Sequence, residues 1–479
     1  MLNGERDFEA QLERRAVPLA LAECALALGL GLVTLGTKSL WSDETYSASV
    51  ASGTWRSMWE SWRQWDANMT LYDVLLRAWR ALGTSDAFLR SLSVLFATAS
   101  VFVVFALGRR LFGATTGLVA GLLLATAPYF LQRSQEVRAY ALLVLLVCGA
   151  TYFLVVALES DQVGPWIGFT VCSALAFYAH FSIVLVFAAQ AFSLVFVPRR
   201  ELPTRRLLIS AAALAVLCAP GMYLALTGRP DQLSWLPRPG WHAAIGQPSH
   251  VAGGAALSIL FVGVLAVAVI AAARAWPTSW TTRWALGLVG AWLLVPPIAA
   301  LVYSLVVSPV YLDRLLLISL PALVLAAAFG ICRLPAAWAL TALAVVLVVS
   351  TVRIVDWYRA PSFQDWRGVT ALVLDHAQPG DGVAFCGKQQ PFEYYVVNSS
   401  AKDPPGSIVP NAEWEAGYHA FTRAPIRAED WPPRVWVITS ASNENAEPAS
   451  CFAHDLGART RVSSTHFDGH LAVELWDDP

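Results

Sequence analysis

Long apolar runs occupy the first three quarters of the chain. Each is about 20 residues long, enough for a helix to cross the roughly 30 Å of hydrocarbon in a bilayer. Eleven spanning helices are predicted, at about 17–37, 88–108, 114–131, 139–158, 164–179, 181–197, 206–226, 252–273, 284–306, 312–332 and 335–354. The two short runs between 164 and 197 are also compatible with a partly re-entrant segment. The pattern predicts a polytopic α-helical membrane protein.

Composition supports the membrane assignment. Hydrophobic residues make up 56% of the 479 residues and charged residues only 14%, and the mean hydropathy is +0.53. A soluble domain with so little charge would lack the polar surface to cover its core. The net charge of -1 says nothing about nucleic acid, but no basic tract suggests a polyanion partner. We therefore expect membrane lipids and no nucleic acid among the partners.

Arginines indicate the orientation of the spans. They lie in the N-terminal tail, at Arg14–Arg15, and in alternate short connections, at Arg109–Arg110, Arg199–Arg200, Arg205–Arg206, Arg274, Arg283 and Arg333. Cytoplasmic loops carry such an excess of basic residues. Lysine occurs only at positions 38, 388 and 402, a bias typical of a GC-rich bacterial genome. We therefore expect a bacterial inner-membrane protein with a cytoplasmic N-terminus and an extracytoplasmic C-terminal region.

The connection after the first span is too long for a simple turn. Trp55, Trp59 and Trp62 share one helical face, and a second apolar stripe runs from Leu71 to Leu82. Because tryptophan prefers the headgroup level, we predict two amphipathic helices at about 53–83 on the outer membrane surface. Packing of these aromatic side chains on neighbouring spans is the alternative.

After residue 355 the hydropathy falls and the pattern changes. A helical pattern near Trp366–His376 is followed by apolar runs at 382–386, 394–397, 435–439 and 471–476, separated by Pro and Gly. The sequence thus predicts a transmembrane domain over 1–355 and an extracytoplasmic α/β domain over 356–479. The cysteines have no metal-ligand spacing, and a disulfide between Cys386 and Cys451 is left open.

Ionisable residues at a membrane boundary are costly unless paired or hydrated, so they mark candidate sites. Four groups fall on the predicted outer side: Asp43–Glu44 after the first span, the segment Arg133–Tyr140 with Glu136 and Arg138, His180, and Tyr311–Arg314. Carboxylates can act as a general base, and arginine presents a fork of donors suited to phosphate. The alternatives are a helix cap, a local ion pair, a structural histidine and an interfacial anchor, respectively.

These motifs together resemble bacterial members of glycosyltransferase family 39 and their relatives in the GT-C superfold, including protein O-mannosyltransferases and aminoarabinose transferases of lipid A. The matching segments are Leu40 to Ala48, Asn68 to Tyr72 leading to Arg90–Ser93, Gln135-Glu136-x-Arg138-x-Tyr140, Tyr178 to Phe181, and Tyr311-x-x-Arg314. The resemblance covers about residues 1–355. Many relatives carry His-Pro-Pro where this sequence has Asn68-Met69-Thr70, which leaves the role of that segment open.

The resemblance implies an inverting glycosyltransferase that uses a polyprenyl-phosphate sugar as donor. Asp43 matches the catalytic aspartate, and Glu44 its acidic neighbour. Arg138 and Arg314 match positions suited to the carrier phosphate. The remaining substrate-binding candidates are Asn68, Tyr72, Glu136, His180 and Tyr311.

The implied reaction requires no metal, because cations already present can stabilise a phosphate leaving group. Asp43 and Glu44 can bind a divalent cation opportunistically, but no ligand cluster supports one. The expected acceptor is a lipid, a glycan or a protein. Two alternatives differ in class: a transporter or flippase of lipid-linked sugars, and a non-catalytic assembly or sensor protein whose active part is the terminal domain.

Overall fold

The computed structural model describes residues 2–160, 162–228, 236–276, 279–417, 426–440, 450–457 and 459–478. The chain forms two compact units. The membrane unit comprises Met1–Val33, Arg63–Tyr72 and Ser91–Arg359, and the sheet unit comprises Thr34–Trp62, Asp73–Arg90 and Ala360–Pro479. Two segments before Ser91, which the predicted division at 355 placed with the spans, thus group with the C-terminal residues.

Helices account for nearly all of the regular structure before residue 360. They are α1 (Leu2–Leu32), α2 (Ser42–Ser52), α3 (Trp55–Gln64), α4 (Thr70–Arg80), α5 (Asp86–Phe112), α6 (Ala114–Ala125), α7 (Pro128–Ser134), α8 (Tyr140–Glu159), α9 (Val163–Ala179), α10 (Ile183–Ser193), α11 (Thr204–Thr227), α12 (Trp241–Val251), α13 (Ala255–Ala275), α14 (Trp280–Val306), α15 (Asp313–Leu316), α16 (Leu320–Ile331) and α17 (Ala336–Arg359). Short 3-10 helices lie at Leu194–Phe196, Arg199–Glu201 and Leu317–Ser319.

The predicted polytopic helical fold is confirmed. Within the described residues, 8 helices are long and apolar enough to cross a membrane, and the pair α6 and α7, bent by 59°, raises the number to 9. The two predicted runs between 164 and 197 correspond to α9 and to Ile183–Phe196, which are apolar but shorter. The predicted number of eleven is reached only if these two also cross.

The membrane unit shows two features typical of helices packed in lipid. Glycines allow close helix contacts: a Cβ on Gly117 of α6 would lie 2.6 Å from the backbone oxygen of Phe105 in α5. Outward-facing apolar side chains remain exposed, including Val216 and Leu226 of α11 and Ile259 of α13. A multi-pass membrane protein accounts for both features.

The C-terminal part of the sheet unit is a small α/β domain, as predicted. Its helices are α18 (Trp366–His376), α19 (Gln390–Val397) and α20 (Ala453–Leu456), with 3-10 helices at Ala428–Asp430 and Ser450–Phe452. Its strands are β1 (Gly382–Cys386), β2 (Gly406–Val409), β3 (Asn411–Ala412), β4 (Arg434–Ser440), β5 (Thr460–Phe467) and β6 (Leu471–Asp477), in the order β3-β2-β1-β4-β6-β5. The central strand β1 is parallel to β2 and β4, and the other pairs are antiparallel.

Three of the four apolar runs predicted in this domain are strands β1, β4 and β6, whereas the run at 394–397 lies in helix α19. Trp366, Phe392 and Trp436 are buried in the core on one face of the sheet. Cys386 and Cys451 form a disulfide, with Cα atoms 6.0 Å apart. This answers the pairing that the sequence left open.

Two strongly amphipathic helices, α3 and α4, occupy the region predicted to contain them. Trp55 and Trp59 are more than half exposed, while Trp62 donates its indole N–H to Asp73 at 2.9 Å. The Arg77 guanidinium lies over the Trp55 ring, 4.8 Å from its centroid. The location of these helices on a membrane surface stays a prediction.

Candidate functional site

His180 lies at the centre of a polar cluster in the membrane unit. It follows the last residue of α9, where the chain turns before α10, and only 9% of it is exposed. Its Nδ1 accepts the backbone N–H of Ser182 at 3.1 Å, and its Nε2 lies 3.0 Å from Nδ2 of Asn68. Asn68 is fixed in turn, because its Oδ1 accepts the Phe181 N–H at 2.9 Å.

Burial and the two arginines predicted to bind phosphate lower the pKa of this histidine. Burial, followed by the positive charges of Arg138 and Arg314, lowers the pKa of His180 to about 3. The ring is therefore neutral at physiological pH, and the guanidiniums retain their charge. Arg138 is buried and Arg314 is half-buried. The fold thus brings two positive charges near enough to His180 to affect its pKa, and such charges are suited to an anionic ligand.

Tyr72 is connected to the backbone of Arg138 through Ser93. Its hydroxyl lies 2.8 Å from the Ser93 hydroxyl, which donates to the Arg138 carbonyl at 3.2 Å. Tyr72 is fully buried. Its polar atom is therefore used within the protein, and we expect it to position the Arg138 backbone.

Other predicted residues of the membrane unit form local structural contacts. Glu136 pairs with Arg133 at 2.8 Å, which is the local ion pair considered as an alternative for this segment. The Tyr311 hydroxyl donates to the Ala244 carbonyl at 3.2 Å and so ties its loop to α12. Asp313 accepts the backbone N–H of Arg314 at 2.7 Å.

Glu44 belongs to the sheet unit and is completely buried. Both of its oxygens accept hydrogen bonds from Arg90, at 2.8 and 2.7 Å. Arg90 also donates to the carbonyls of Leu35, Lys38 and Ser39. Because a buried ion pair needs its remaining donors satisfied, this network fixes the chain that leads into α2.

Asp43 is the neighbouring carboxylate, in the first turn of α2, and it is only partly buried. Carboxylates are favoured at a helix N-terminus, where the backbone N–H groups lack helical partners. The two adjacent acids therefore differ in their surroundings: Glu44 is enclosed with Arg90, and Asp43 is the more accessible one.

The described part of the chain contains no group of three or more His, Cys, Asp or Glu side chains placed to hold a metal ion. An opportunistic cation at Asp43 and Glu44 would compete with Arg90 for the Glu44 oxygens. The sequence interpretation missed the role of Arg90, although a lone arginine near the start of an apolar helix is a signal for a buried partner. It also missed Gln135, whose amide donates to the Gly31 carbonyl at 2.9 Å.

Comparisons with known proteins agree with the predicted resemblance. A family model described as dolichyl-phosphate-mannose-protein mannosyltransferase matches residues 71–223. A search of the curated proteins finds no match. Among solved structures, ArnT from Cupriavidus metallidurans in the apo state has a TM-score of 0.66 and 15% identity, covering 96% of this chain and 98% of that chain.

Two further solved structures share the fold. ArnT from the same organism bound to undecaprenyl phosphate has a TM-score of 0.62 and 13% identity, covering 95% of this chain and 97% of that one. The oligosaccharyltransferase of Archaeoglobus fulgidus in the apo form has a TM-score of 0.52 and 10% identity, covering 81% and 64%. The predicted resemblance is therefore confirmed: the family model matches residues 71–223, and the fold of ArnT matches over nearly the whole chain.

Proposed function

We propose that this chain is an integral-membrane glycosyltransferase that moves a sugar from a polyprenyl-phosphate donor to an acceptor on the extracytoplasmic side. The observation that carries the proposal is the electrostatic effect of Arg138 and Arg314 on His180, which indicates two positive charges near this buried, neutral ring. The family model and the ArnT structures support the same class of donor, since one of those structures holds undecaprenyl phosphate.

Transfer by direct displacement leaves a polyprenyl phosphate, whose charge needs fixed positive partners. Arg138 and Arg314 would bind this phosphate through charge-assisted hydrogen bonds, which are strong where water is partly excluded. His180 and Asn68 would orient the polar groups of the substrate that lie beside this phosphate. Three further residues would support the site indirectly, by holding the surrounding protein in place through the contacts described above: Tyr72, Glu136 and Tyr311.

Asp43 would take the proton from the acceptor hydroxyl as that oxygen attacks the anomeric carbon. The C–O bond to the phosphate breaks as the new glycosidic bond forms, and the configuration at that carbon inverts. A well-placed general base contributes on the order of 10²–10⁴ in rate. Glu44 would keep Asp43 in place through its ion pair with Arg90.

Compartment and topology are part of the proposal. We place the protein in a bacterial inner membrane, and the arginine-rich connections support a cytoplasmic N-terminus and an extracytoplasmic C-terminal domain. The Cys386–Cys451 disulfide supports this orientation, because disulfides persist in oxidising compartments. The acceptor would be a lipid, glycan or protein there. None of the comparisons supports the alternative of a transporter or flippase.

The test separates transfer from donor binding. We expect Asp43→Asn to fold normally, to bind undecaprenyl phosphate as the natural chain does, and to lose at least about a hundredfold in transfer rate, because only the base is removed. Transfer is measured as [14C]mannose leaving undecaprenyl-phosphate mannose in the presence of host membranes.

Asp375→Asn is the matched control, since Asp375 is an exposed aspartate on α18 of the same unit. It should transfer at the natural rate. Near-normal transfer by Asp43→Asn would remove Asp43 as the base. Movement of intact lipid-linked sugar across a vesicle membrane without release of mannose would instead favour the transporter.

A further inference from the structure

The C-terminal domain holds the segment that leads to Asp43. Residues 34–41 lie between α1 and α2 and have little regular structure of their own. Their backbone and hydroxyl groups bond to side chains that follow residue 360 in the sequence, all within the sheet unit. We call three of these side chains the loop clamp: Gln364, Arg367 and Tyr395.

Gln364 makes the contacts nearest to the acid. Its Oε1 accepts the backbone N–H of Ser42 at 3.1 Å and the Ser42 hydroxyl at 2.6 Å. Ser42 is the first residue of α2, and Asp43 is the second. The first N–H groups of a helix have no partner within it, so Gln364 acts as a cap supplied from more than 300 residues away in sequence.

The capping atom is itself rigidly held. The same Oε1 accepts the indole N–H of Trp366 at 3.1 Å, and Trp366 is fully buried in the domain core. Asp365, the residue directly after Gln364, donates its backbone N–H to the carbonyl of Asp468 in the β5–β6 turn at 3.1 Å. Three donors on one oxygen also identify it as the oxygen and not the nitrogen of the amide.

Tyr395 and Arg367 secure the preceding residues. The Tyr395 hydroxyl accepts the Leu40 N–H at 2.8 Å and donates to Asp86 at 3.0 Å. Burial raises the pKa of Tyr395 well above its usual range, so the phenol keeps the proton that it donates. Arg367 bridges the same Asp86 oxygen, at 2.5 Å, and the Lys38 carbonyl, at 3.1 Å.

From these contacts we propose that Gln364 is a positioning residue for the transfer reaction, which orients Asp43 by capping the first turn of α2. The inference rests on the proposed function of Asp43 as the base. It assigns a task to the C-terminal domain: the domain fixes the geometry of the acid without touching substrate. Arg367 and Tyr395 set the path of the chain into that turn.

The first measurement compares kcat and KM of Gln364→Ala with those of the natural chain. We expect kcat to fall on the order of 10-fold to 100-fold, because a base displaced by about 1 Å loses that much. KM for undecaprenyl-phosphate mannose should change less than about twofold, because other residues bind the donor phosphate. Gln378→Ala, an exposed glutamine of the same domain, is the control.

Two further variants exclude a merely structural effect. Gln364→Glu keeps an acceptor oxygen at the helix N-terminus, so we expect kcat to return to within about threefold of the natural value. In the Asp43→Asn background, Gln364→Ala should lower the residual rate by less than about twofold, because no base is left to position. A melting temperature for each variant verifies folding.

The outcomes separate the two proposals. If Asp43→Asn is inactive and Gln364→Ala has the natural kcat, the positioning role is wrong and the proposed function stands. An additional large loss in the Asp43→Asn background would also overturn it, since Gln364 would then act elsewhere. If Asp43→Asn transfers normally, the proposed base fails, and this inference fails with it.

Discussion

His180 adds no positive charge to the site, because its imidazole stays neutral beside the two arginines. Buried and close to the charges of Arg138 and Arg314, its imidazole binds a proton only near pH 3. A protonated histidine here would add to the repulsion between the guanidiniums. A neutral imidazole can contact polar groups without adding positive charge. The positive charge of the site then comes from the two arginines, which stay protonated.

The low pKa of His180 makes the stability of the folded protein depend on pH. The pKa of His180 is about 6.5 in an unfolded chain and about 3 in the native one, so between these values only the unfolded chain binds the proton. Stability is therefore full above pH 6.5 and falls as the pH decreases, by about 1 kcal/mol per pH unit. We expect the melting temperature to fall less between pH 7.5 and 5 in His180→Asn.

His376→Asn provides the comparison, because His376 is exposed on α18. This variant should show the same acid sensitivity as the natural chain. Equal falls in the melting temperature of all three proteins would contradict the buried, neutral state of His180.

At the level of elements, Gly117 of α6 marks the closest approach to α5. A methyl group there would lie 2.6 Å from the Phe105 oxygen and 2.7 Å from the Arg109 nitrogen, and neither backbone atom can swing aside. We expect Gly117→Ala to destabilise the protein by about 1–3 kcal/mol, despite the higher helix propensity of alanine. Thermal unfolding in detergent measures the change.

Gly149→Ala in α8 is the matched control. The nearest atom to its added methyl is the Cys172 sulfur at 3.5 Å, an ordinary contact. This variant should be as stable as the natural chain or slightly more so. A Gly117→Ala variant of unchanged stability would mean that α5 and α6 can separate at no cost.

The elements were largely predictable, because hydrophobic length and period are local properties. Helix α18 and strand β1 have the predicted bounds, Trp366–His376 and Gly382–Cys386. The run at 394–397 was ambiguous, since a short apolar stretch fits a strand and a buried helix equally. The loop clamp was not predictable, because a glutamine such as Gln364 has no sequence signal for a partner 322 residues away.

On the scale of the whole molecule, the disulfide should stabilise the C-terminal domain, and it can do so only in an oxidising compartment. It joins Cys386 at the end of β1 to Cys451 and closes a loop with a sequence separation of 65. Replacing both cysteines with serine should destabilise the C-terminal domain by about 2–5 kcal/mol, because the unfolded chain gains freedom. The readout is the melting temperature of the detergent-purified protein.

The natural protein treated with a reducing agent is the matching control. With both thiols free, it should melt at the same temperature as the double-serine variant. Free Cys386 in protein purified from a normal host, detected by thiol labelling under denaturing conditions, would contradict the extracytoplasmic location of this domain.

The division of the sheet unit between both ends of the chain has a consequence for biosynthesis. The acidic turn at Ser42 leaves the ribosome long before Gln364, its partner 322 residues later. At ~5–20 residues per second, the delay is roughly 15 to 60 seconds. Throughout that interval the turn lacks its cap, so we expect a nascent or prematurely terminated chain to transfer sugar more slowly than a finished one.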